Sequence, residues 1–442
     1  MKPEDFYRIL ADFAGLSVFS QLRAHPLVKA LVKVLTLLSP DRVSGQEWSL
    51  KLLRAWSAFM GTFFLYNPGD SLYTALAFLV LSDENPFTLA AEGGQGRDSP
   101  LLLAVTKADL SRLGRIARFD ITQLGFYIAA LLRDEGLEDA ARDCEKTARV
   151  LWMTGEAENS GKFDGVKIFP PDSDWGEALP ALGDYIASHG AGLLGRYHSF
   201  FWTAAGSLCP VRNPDPVELS QLAGYGNQRA LVVSNTSRFI QGKPANNLLL
   251  YGDRGTGKSA TVKAVCNEFA PRGLRLLELH KPDLSQLPAI LETLASRALR
   301  FVIFIDDLSF EDTDDSFTAL KALLEGGVEA KAANTVIYAT SNRRHLVKER
   351  FSDRPTLAAA AGEVRAFDAM QEQFSLADRF GLTVIFTSPS QEEYLEIACF
   401  IAEKRGLLKA GDEDARKTFR ENALRWERWF NGRSPRTAVQ YA

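Results

Sequence analysis

The chain has 442 residues, 46% hydrophobic and 24% charged, with a formal net charge of −4, so it is long enough for two or three domains. The slightly acidic balance excludes a global positive field that would gather nucleic acid or an anionic membrane, leaving only a local basic patch for such a role. Cys144, Cys209, Cys266 and Cys399 have neither zinc-site spacing nor the density of a disulfide-stapled secreted domain, which points to a reducing cytoplasm.

The opening MKPEDFYRIL is acidic early and lacks the basic and then apolar order of a signal peptide. From Phe6 to about Met153 the apolar residues recur at helical spacing, as in Leu27, Leu31, Val34, Leu35 and Leu38, which predicts an all-helical N-terminal domain over residues 1–153. Ala55 to Tyr66 and Ser71 to Ser82 are the most apolar stretches. Each is well short of the roughly 20 residues that span a bilayer, so both read as buried helices, and no membrane association is expected. Turn-rich breaks such as Asn67-Pro68-Gly69-Asp70 divide the domain, and no fixed-period repeat is present. Residues 154–214, rich in Gly, Pro, Asp and Ser, read as a connector with one helical interruption around Leu193 to Ala205.

Past residue 215 short apolar runs alternate with amphipathic helices: Asn247 to Tyr251, Leu274 to Leu279, Phe301 to Ile305, Thr335 to Ala339 and Leu382 to Phe386. Five such strands with helices between them predict an α/β core with a five-stranded parallel sheet over 215–389, and a helical segment over 390–442. Trp426 and Trp429, three apart on an amphipathic helix, are expected in the core of that last segment.

Gly252-Asp253-Arg254-Gly255-Thr256-Gly257-Lys258-Ser259 fits the phosphate-binding pattern Gly-x4-Gly-Lys-Ser/Thr and lies between a strand and the helix that Ala260 continues. Glycines let the backbone curl so that its N–H groups face phosphates. Lys258 is expected to reach the β and γ phosphates of ATP, and Ser259 to ligate magnesium. The apolar run Phe301 to Ile305 ends in Asp306 and Asp307, at the sheet edge where catalytic groups gather. Asp306 is expected to hold the magnesium through water. For the group that polarises the attacking water, Asp307, one methylene shorter than the usual glutamate, and Glu311, a turn later, both stand open, as does slow hydrolysis. The competing reading is two aspartates capping the next helix.

Thr340-Ser341-Asn342 ends the next strand, and Asn342 is the candidate to sit beside the γ phosphate if the two strands are neighbours. Arg379, directly ahead of the fifth strand, is expected to project from the domain edge.

GDRGTGKS, FVIFIDD, ATSNRRHL, SLADRFGL and SPRTAVQ come in the order and spacing of the AAA+ superfamily, which residues 215–442 resemble. The run DDLSFE with SLADRFGL resembles, more narrowly, a bacterial AAA+ family known only as a domain of unknown function. The resemblance implies a nucleotide-binding core with a helical lid, and homo-oligomers in which Arg379 completes a neighbour's site and Arg436 acts from the lid. A surface salt bridge with Asp378 is the bland alternative for Arg379. Gly224 and Tyr225 resemble the segment lining the adenine pocket. Leu279 to Asp283 lacks the aromatic residue of protein-threading rings, which speaks against that activity. The basic segment Arg343, Arg344, Lys348, Arg350 and Arg354 carries no interleaved aromatics, so a solvated or intersubunit face is favoured over nucleic-acid contact.

Two functions follow as expectations. The first is an oligomeric ATPase whose lid motion remodels a protein partner, located in the cytoplasm. The second is a nucleotide-dependent binding module, such as a DNA-associated loader-like regulator, with slow hydrolysis.

Overall fold

The computed structural model describes residues 2–39, 45–66, 71–94, 99–155, 164–308, 320, 324, 333–342, 379–409, 412–429 and 432–442. The chain divides into two compact units, Met1–Arg196 and Tyr197–Ala442. No helix among the described residues is long and apolar enough to cross a membrane.

The described part of the first unit is helical: α1 (Pro3–Ala14), α2 (Pro26–Leu37), α3 (Gln46–Tyr66), α4 (Leu72–Leu81), α5 (Pro86–Glu92), α6 (Pro100–Ala117), α7 (Ile121–Asp134), α8 (Glu138–Gly155), α9 (Leu179–His189) and α10 (Gly192–Arg196). Local chemistry sets the starts. Proline occupies the first turn of α1, α2, α5 and α6, where its missing N–H is no loss. Asn85 accepts from the N–H groups of Phe87 and Thr88 to cap α5, and Asp120 accepts from Thr122 and Gln123 to cap α7. Helix α4 is apolar nearly all round and buries Leu72, Leu76, Val80 and Leu81, as a central helix must. Gly125 of α7 lets α8 approach, since a Cβ there would meet the Ala148 Cβ at 2.9 Å.

One buried carboxylate organises the chain's return from α1. Asp109 of α6 is fully buried, and its Oδ2 accepts from the backbone N–H groups of Ser17, Val18 and Phe19 at 2.8, 2.7 and 3.1 Å. Arg112 Nη1 donates to the other oxygen at 3.1 Å.

Residues 154–214, expected as a connector, are shared out between the units. Phe169 and Trp175 are fully buried in the helical unit with ring centroids 4.6 Å apart. The helical interruption expected around 193–205 is half right: α10 ends at Arg196, and β1 (Ser199–Trp202) and β2 (Leu208–Pro210) follow as a hairpin.

The second unit is built on β3 (Leu248–Gly252), β4 (Leu274–Glu278), β5 (Arg300–Ile305), β6 (Thr335–Asn342) and β7 (Leu382–Phe386), the five expected strands within a few residues. Among the described residues the sheet has seven strands rather than five, in the order β2-β1-β4-β5-β6-β3-β7. It is mixed: β1 joins parallel to β4, and β2 pairs antiparallel with β1. The additions were missed because strands of four and three residues are too short for a period to register. Helices α11 (Gly226–Ile240), α12 (Lys258–Phe269) and α13 (Leu287–Ala295) accompany the sheet, and α14 (Gln391–Lys404), α15 (Glu413–Trp429) and α16 (Pro435–Tyr441) end the chain. Tyr394, Ile397, Ala423 and Ala438 form the core of these last helices. Trp426 packs there with its ring 6.0 Å from Tyr441, whereas Trp429 is 84% exposed, contrary to the amphipathic spacing.

Asp109→Ala would strand three amide N–H groups of the first unit without an acceptor, so a loss of about 3 kcal/mol or more is expected. Urea unfolding followed by tryptophan fluorescence measures it, and an unchanged midpoint would show that the amides find other partners.

Candidate functional site

The site begins with a glycine that no other residue can replace. Strand β3 runs between β6 and β7, and its last residue, Gly252, stands opposite Asn342 on one side and Phe386 on the other. A Cβ on Gly252, which has φ +145°, would lie 1.9 Å from the Phe386 carbonyl oxygen. Only glycine permits that approach. The Asp253 N–H then donates to the same carbonyl at 3.0 Å, while the Asp253 carboxylate accepts from the N–H and hydroxyl of Ser388 at 2.9 and 2.7 Å.

From there the loop curls through two left-handed glycines, Gly255 (φ +78°) and Gly257 (φ +89°). Gly257 is the residue before α12, and a Cβ placed on it would meet nothing within 4 Å. That open space adjoins the N-terminus of α12, whose first N–H groups have no partner within the helix. Buried Thr256 braces the loop by donating its hydroxyl to the Asp253 carbonyl at 2.8 Å, while Arg254 is exposed. Ala260 lies in the first turn of α12.

Around the loop the expected side chains converge from β3, β5 and β6. Lys258 is 7% exposed, and its Nζ donates to the carbonyls of Gly252 and Asp253 at 3.0 and 2.7 Å and reaches Asn342 Oδ1 at 3.4 Å. Burial pushes its ammonium below the ordinary value, against the opposing pull of Asp253, Asp307 and Asp306. Ser259 Oγ donates to Asp306 Oδ1 at 2.6 Å. Asn342 Nδ2 donates to Asp307 Oδ1, so Asn342 stands between the lysine and that carboxylate. Asp307 itself is left-handed at φ +52°, a conformation that costs a non-glycine residue on the order of 1 kcal/mol or more.

Thr340, which the sequence placed at the strand end without a role, holds that arrangement. Its hydroxyl donates to Asp306 Oδ1 at 2.5 Å and accepts from the Asp307 N–H at 2.9 Å. The sequence signal was a hydroxyl residue two positions before Asn342, and only the β5–β6 register shows what it faces. The tie between Asp253 and Ser388 had no sequence signal, since 135 residues separate them.

The donor set suits a magnesium nucleotide. A glycine cradle lined by N–H groups, one buried ammonium, and a hydroxyl beside a carboxylate are the groups that phosphates and a hard cation require. The segment before α11 adds a cavity of about 650 Å³ lined by Gly224, Tyr225, Gln228, Arg229, Glu393 and Ile397, among others. Tyr225 is held at φ +52°, its ring lies 5.1 Å from that of Phe386, and its hydroxyl donates to the Thr387 carbonyl at 2.7 Å. Burial pushes that phenol up to about 12, so it stays a donor at neutral pH.

The remaining candidates divide. Arg436 comes to the loop: its N–H donates to the Gly255 carbonyl at 3.2 Å, and its side chain is exposed. Arg379 does not. It lines a cavity at the opposite rim of the sheet with Asn246, Thr335 and Gly381, beside the starts of β3, β6 and β7. Glu311 lies outside the described residues, as does the basic segment 343–354.

Thr340→Val keeps the shape and removes the hydroxyl, leaving the Asp307 N–H without its acceptor and Asp306 Oδ1 without one donor. A destabilisation of about 1 to 3 kcal/mol is expected in a denaturation experiment. An unchanged stability would mean that the left-handed turn holds itself.

Among solved structures, the RuvB Holliday junction branch migration motor of Thermotoga maritima is similar at 18% identity over 51% of this chain, with a TM-score of 0.31. A mutant of RuvB from the same organism aligns at 16% identity and a TM-score of 0.32. The chain spans 62% and 63% of the length of these two structures. No curated protein matches the chain. The family described as "Protein of unknown function (DUF815)" matches residues 195–442, which hold the whole constellation around Lys258, and the chain belongs to that family.

Proposed function

We propose that this protein binds and hydrolyses ATP with magnesium as a homo-oligomeric AAA+ engine, and that its N-terminal helical unit passes lid motion to a protein partner. The observation that carries the reading is the convergence of Lys258, Ser259, Asp306, Asp307 and Asn342 at the carboxyl ends of three adjacent strands. In this reading the core spans 215–389 and the lid 390–442.

The roles follow from the atoms. Backbone N–H groups between Gly252 and Ala260 cradle phosphates, and Lys258 leaves its two carbonyl acceptors for phosphate oxygens. Ser259 and Asp306 would hold magnesium, which when bound neutralises phosphate charge. Asp307 is the base that orients the attacking water, with Asn342 placing both it and the γ phosphate. Arg436 reads the nucleotide from the lid. The lid's swing is set by two ties to the loop: Asp253 to Ser388 just before α14, and Gly255 to Arg436 at the start of α16. Arg379, at the far rim, serves a neighbouring subunit. Four free cysteines and a need for ATP suit the cytoplasm.

One observation favours the second reading, a nucleotide-gated binding module with slow hydrolysis. The Asp307 carboxylate is already engaged by Asn342, on a strained backbone. Contact with nucleic acid stays the less favoured form of it.

Lys258→Ala is expected to abolish nucleotide binding or turnover with the fold intact; unchanged affinity and rate would remove the ATPase reading. Steady-state hydrolysis by the full chain should show specific activity rising with protein concentration, and negligible turnover alongside tight binding would select the second reading instead. Arg379→Ala should spare nucleotide binding while lowering turnover by roughly 1,000-fold. Mixing it with Asp307→Asn subunits should restore part of the rate, whereas an unrescued mixture argues against shared sites.

A further inference from the structure

Helix α3 departs from the sequence expectation that Ala55 to Tyr66 is a buried helix. Its inner side is buried through Leu52, Trp56, Phe59 and Phe63, but Phe64 and Leu65 are 57% and 74% exposed, with Tyr66 exposed beside them. The outer side carries no charge after Arg54: from there to the end of the helix the exposed residues are Ser57, Ala58, Gly61, Phe64, Leu65 and Tyr66. The solvent side of a helix in a globular domain is ordinarily polar and charged, so an apolar one of this length marks an interaction site.

The exposed positions form a shallow trough. Leu50, Arg54, Ser57, Gly61 and Phe64 follow one another at alternating spacings of four and three, which is one stripe along the helix, roughly 21 Å long at about 1.5 Å per residue. Side chains are large at its two ends and small at Ser57 and Gly61 between them. A glycine inside a helix destabilises it relative to alanine, and a Cβ on Gly61 would meet nothing within 4 Å. No packing within the chain requires this glycine, and its missing side chain leaves room for the backbone of another helix to come close. The end of the trough is held in place. The Tyr66 ring packs edge-on against His25 with centroids 4.9 Å apart, and His25 Nδ1 accepts from the Leu27 N–H to cap α2.

Charge identifies the occupant. Residues 13–39 and 45–66 hold Arg23, Lys29, Lys33, Lys51 and Arg54 against one carboxylate, Glu47, in a chain that is acidic as a whole. Lys51 takes Glu47 at 2.6 Å, and Arg23 donates to the carbonyls of Ala14 and Leu16. Lys29, Lys33 and Arg54 are exposed and make no ion pair among the described residues. Arg54 lies on the stripe itself, so the surface is complementary to an apolar partner with carboxylates at one end. A second copy of the chain would bring the same cations against it, and like charges oppose that pairing. A nucleic-acid backbone finds no cation along the charge-free turns, and an anionic bilayer has no use for the gap at Gly61.

We propose that the outer face of α3, from Leu50 to Tyr66, is the docking surface for an acidic amphipathic helix of a partner protein. The helix lies along the stripe, with its apolar residues on Gly61, Phe64 and Leu65 and its carboxylates toward Arg54. This rests on the reading that the N-terminal unit serves a protein partner, and deepens it by naming the surface and the chemistry of what binds there. The apolar anchors supply affinity, and Arg54 sets the direction of the bound helix.

The test begins with full-length protein carrying the photo-crosslinking residue p-benzoylphenylalanine in place of Leu65, irradiated in its own cells, with the attached segment sequenced. That segment, synthesised as a labelled peptide, is titrated against the full chain by fluorescence anisotropy. An acidic amphipathic helix is the expected capture. Leu65→Glu should weaken its binding by about 10- to 100-fold. Arg54→Glu should weaken it about fivefold, and exchanging a peptide glutamate for arginine should restore the loss. A merely structural role does not predict the outcome for Gly61→Leu, which should keep or raise the melting temperature while weakening the peptide about tenfold or more by filling the gap. Unchanged affinity in Gly61→Leu overturns the docking geometry. Capture of a second copy, capture of nothing, or Leu65-dependent binding to vesicles of equal phosphatidylglycerol and phosphatidylcholine in place of a peptide overturns the proposal. Binding as expected with ATP turnover indifferent to the peptide keeps the docking surface and brings down only the coupling of partner to engine.

Discussion

The approach of Gly252 to the Phe386 carbonyl is the constraint on which the rest of the site depends. With 1.9 Å between that oxygen and any Cβ, the backbones of β3 and β7 meet where a side chain would push them apart. The chain must leave the sheet there, between β6 and β7, and its next N–H bonds to the same carbonyl. Everything downstream inherits its position from this exit: the left-handed glycines, the start of α12 and the place of Lys258. It also joins the loop to the segment ahead of α14, because Phe386 is two residues from Ser388, which grips Asp253.

The polar groups around that exit satisfy one another. Lys258 spends its donors on loop carbonyls, Asp306 takes hydroxyls from Ser259 and Thr340, and Asp307 takes the amide of Asn342. A buried ammonium left without such partners would carry a heavy desolvation penalty. In the reading proposed above, a bound nucleotide would exchange these bonds for bonds to phosphate and water. The left-handed Asp307, braced by Thr340, is the element whose geometry such an exchange would alter most directly.

The two units use carboxylates differently. In the helical unit, Asp109, Asp12 and Glu92 are buried and serve backbone N–H groups or arginines: Asp109 binds three amides, Asp12 pairs with Arg115, and Glu92 accepts from Ala191. Asp109 and Glu92 staple loops to helices, and Asp12 ties α1 to α6. In the second unit, Asp306 and Asp307 are exposed at a strand end and face hydroxyl, amide and ammonium groups. The first three are shielded from solvent, and Asp306 and Asp307 remain open to it.

The sequence alone determined the phosphate-loop motif, the apolar strand ending in Asp306 and Asp307, the five parallel strands and the helical character of the N-terminal and C-terminal parts, because each is a local pattern with its own physical signature. Glycine spacing specifies backbone curvature, and an unbroken apolar run specifies a strand buried on both faces. Trp429 shows the limit of such patterns: its spacing places it near the face of Trp426, yet its side chain is exposed. Only the tertiary structure decided that Ser199 to Pro210 extends the sheet, that Thr340 braces Asp307, that Asp253 holds Ser388, and that Arg300 shares a cavity with Arg379. Each joins residues far apart in the chain through a strand register or a crossover. The free energy of such contacts comes from the partner across the gap, and nothing in the local sequence encodes which partner that will be.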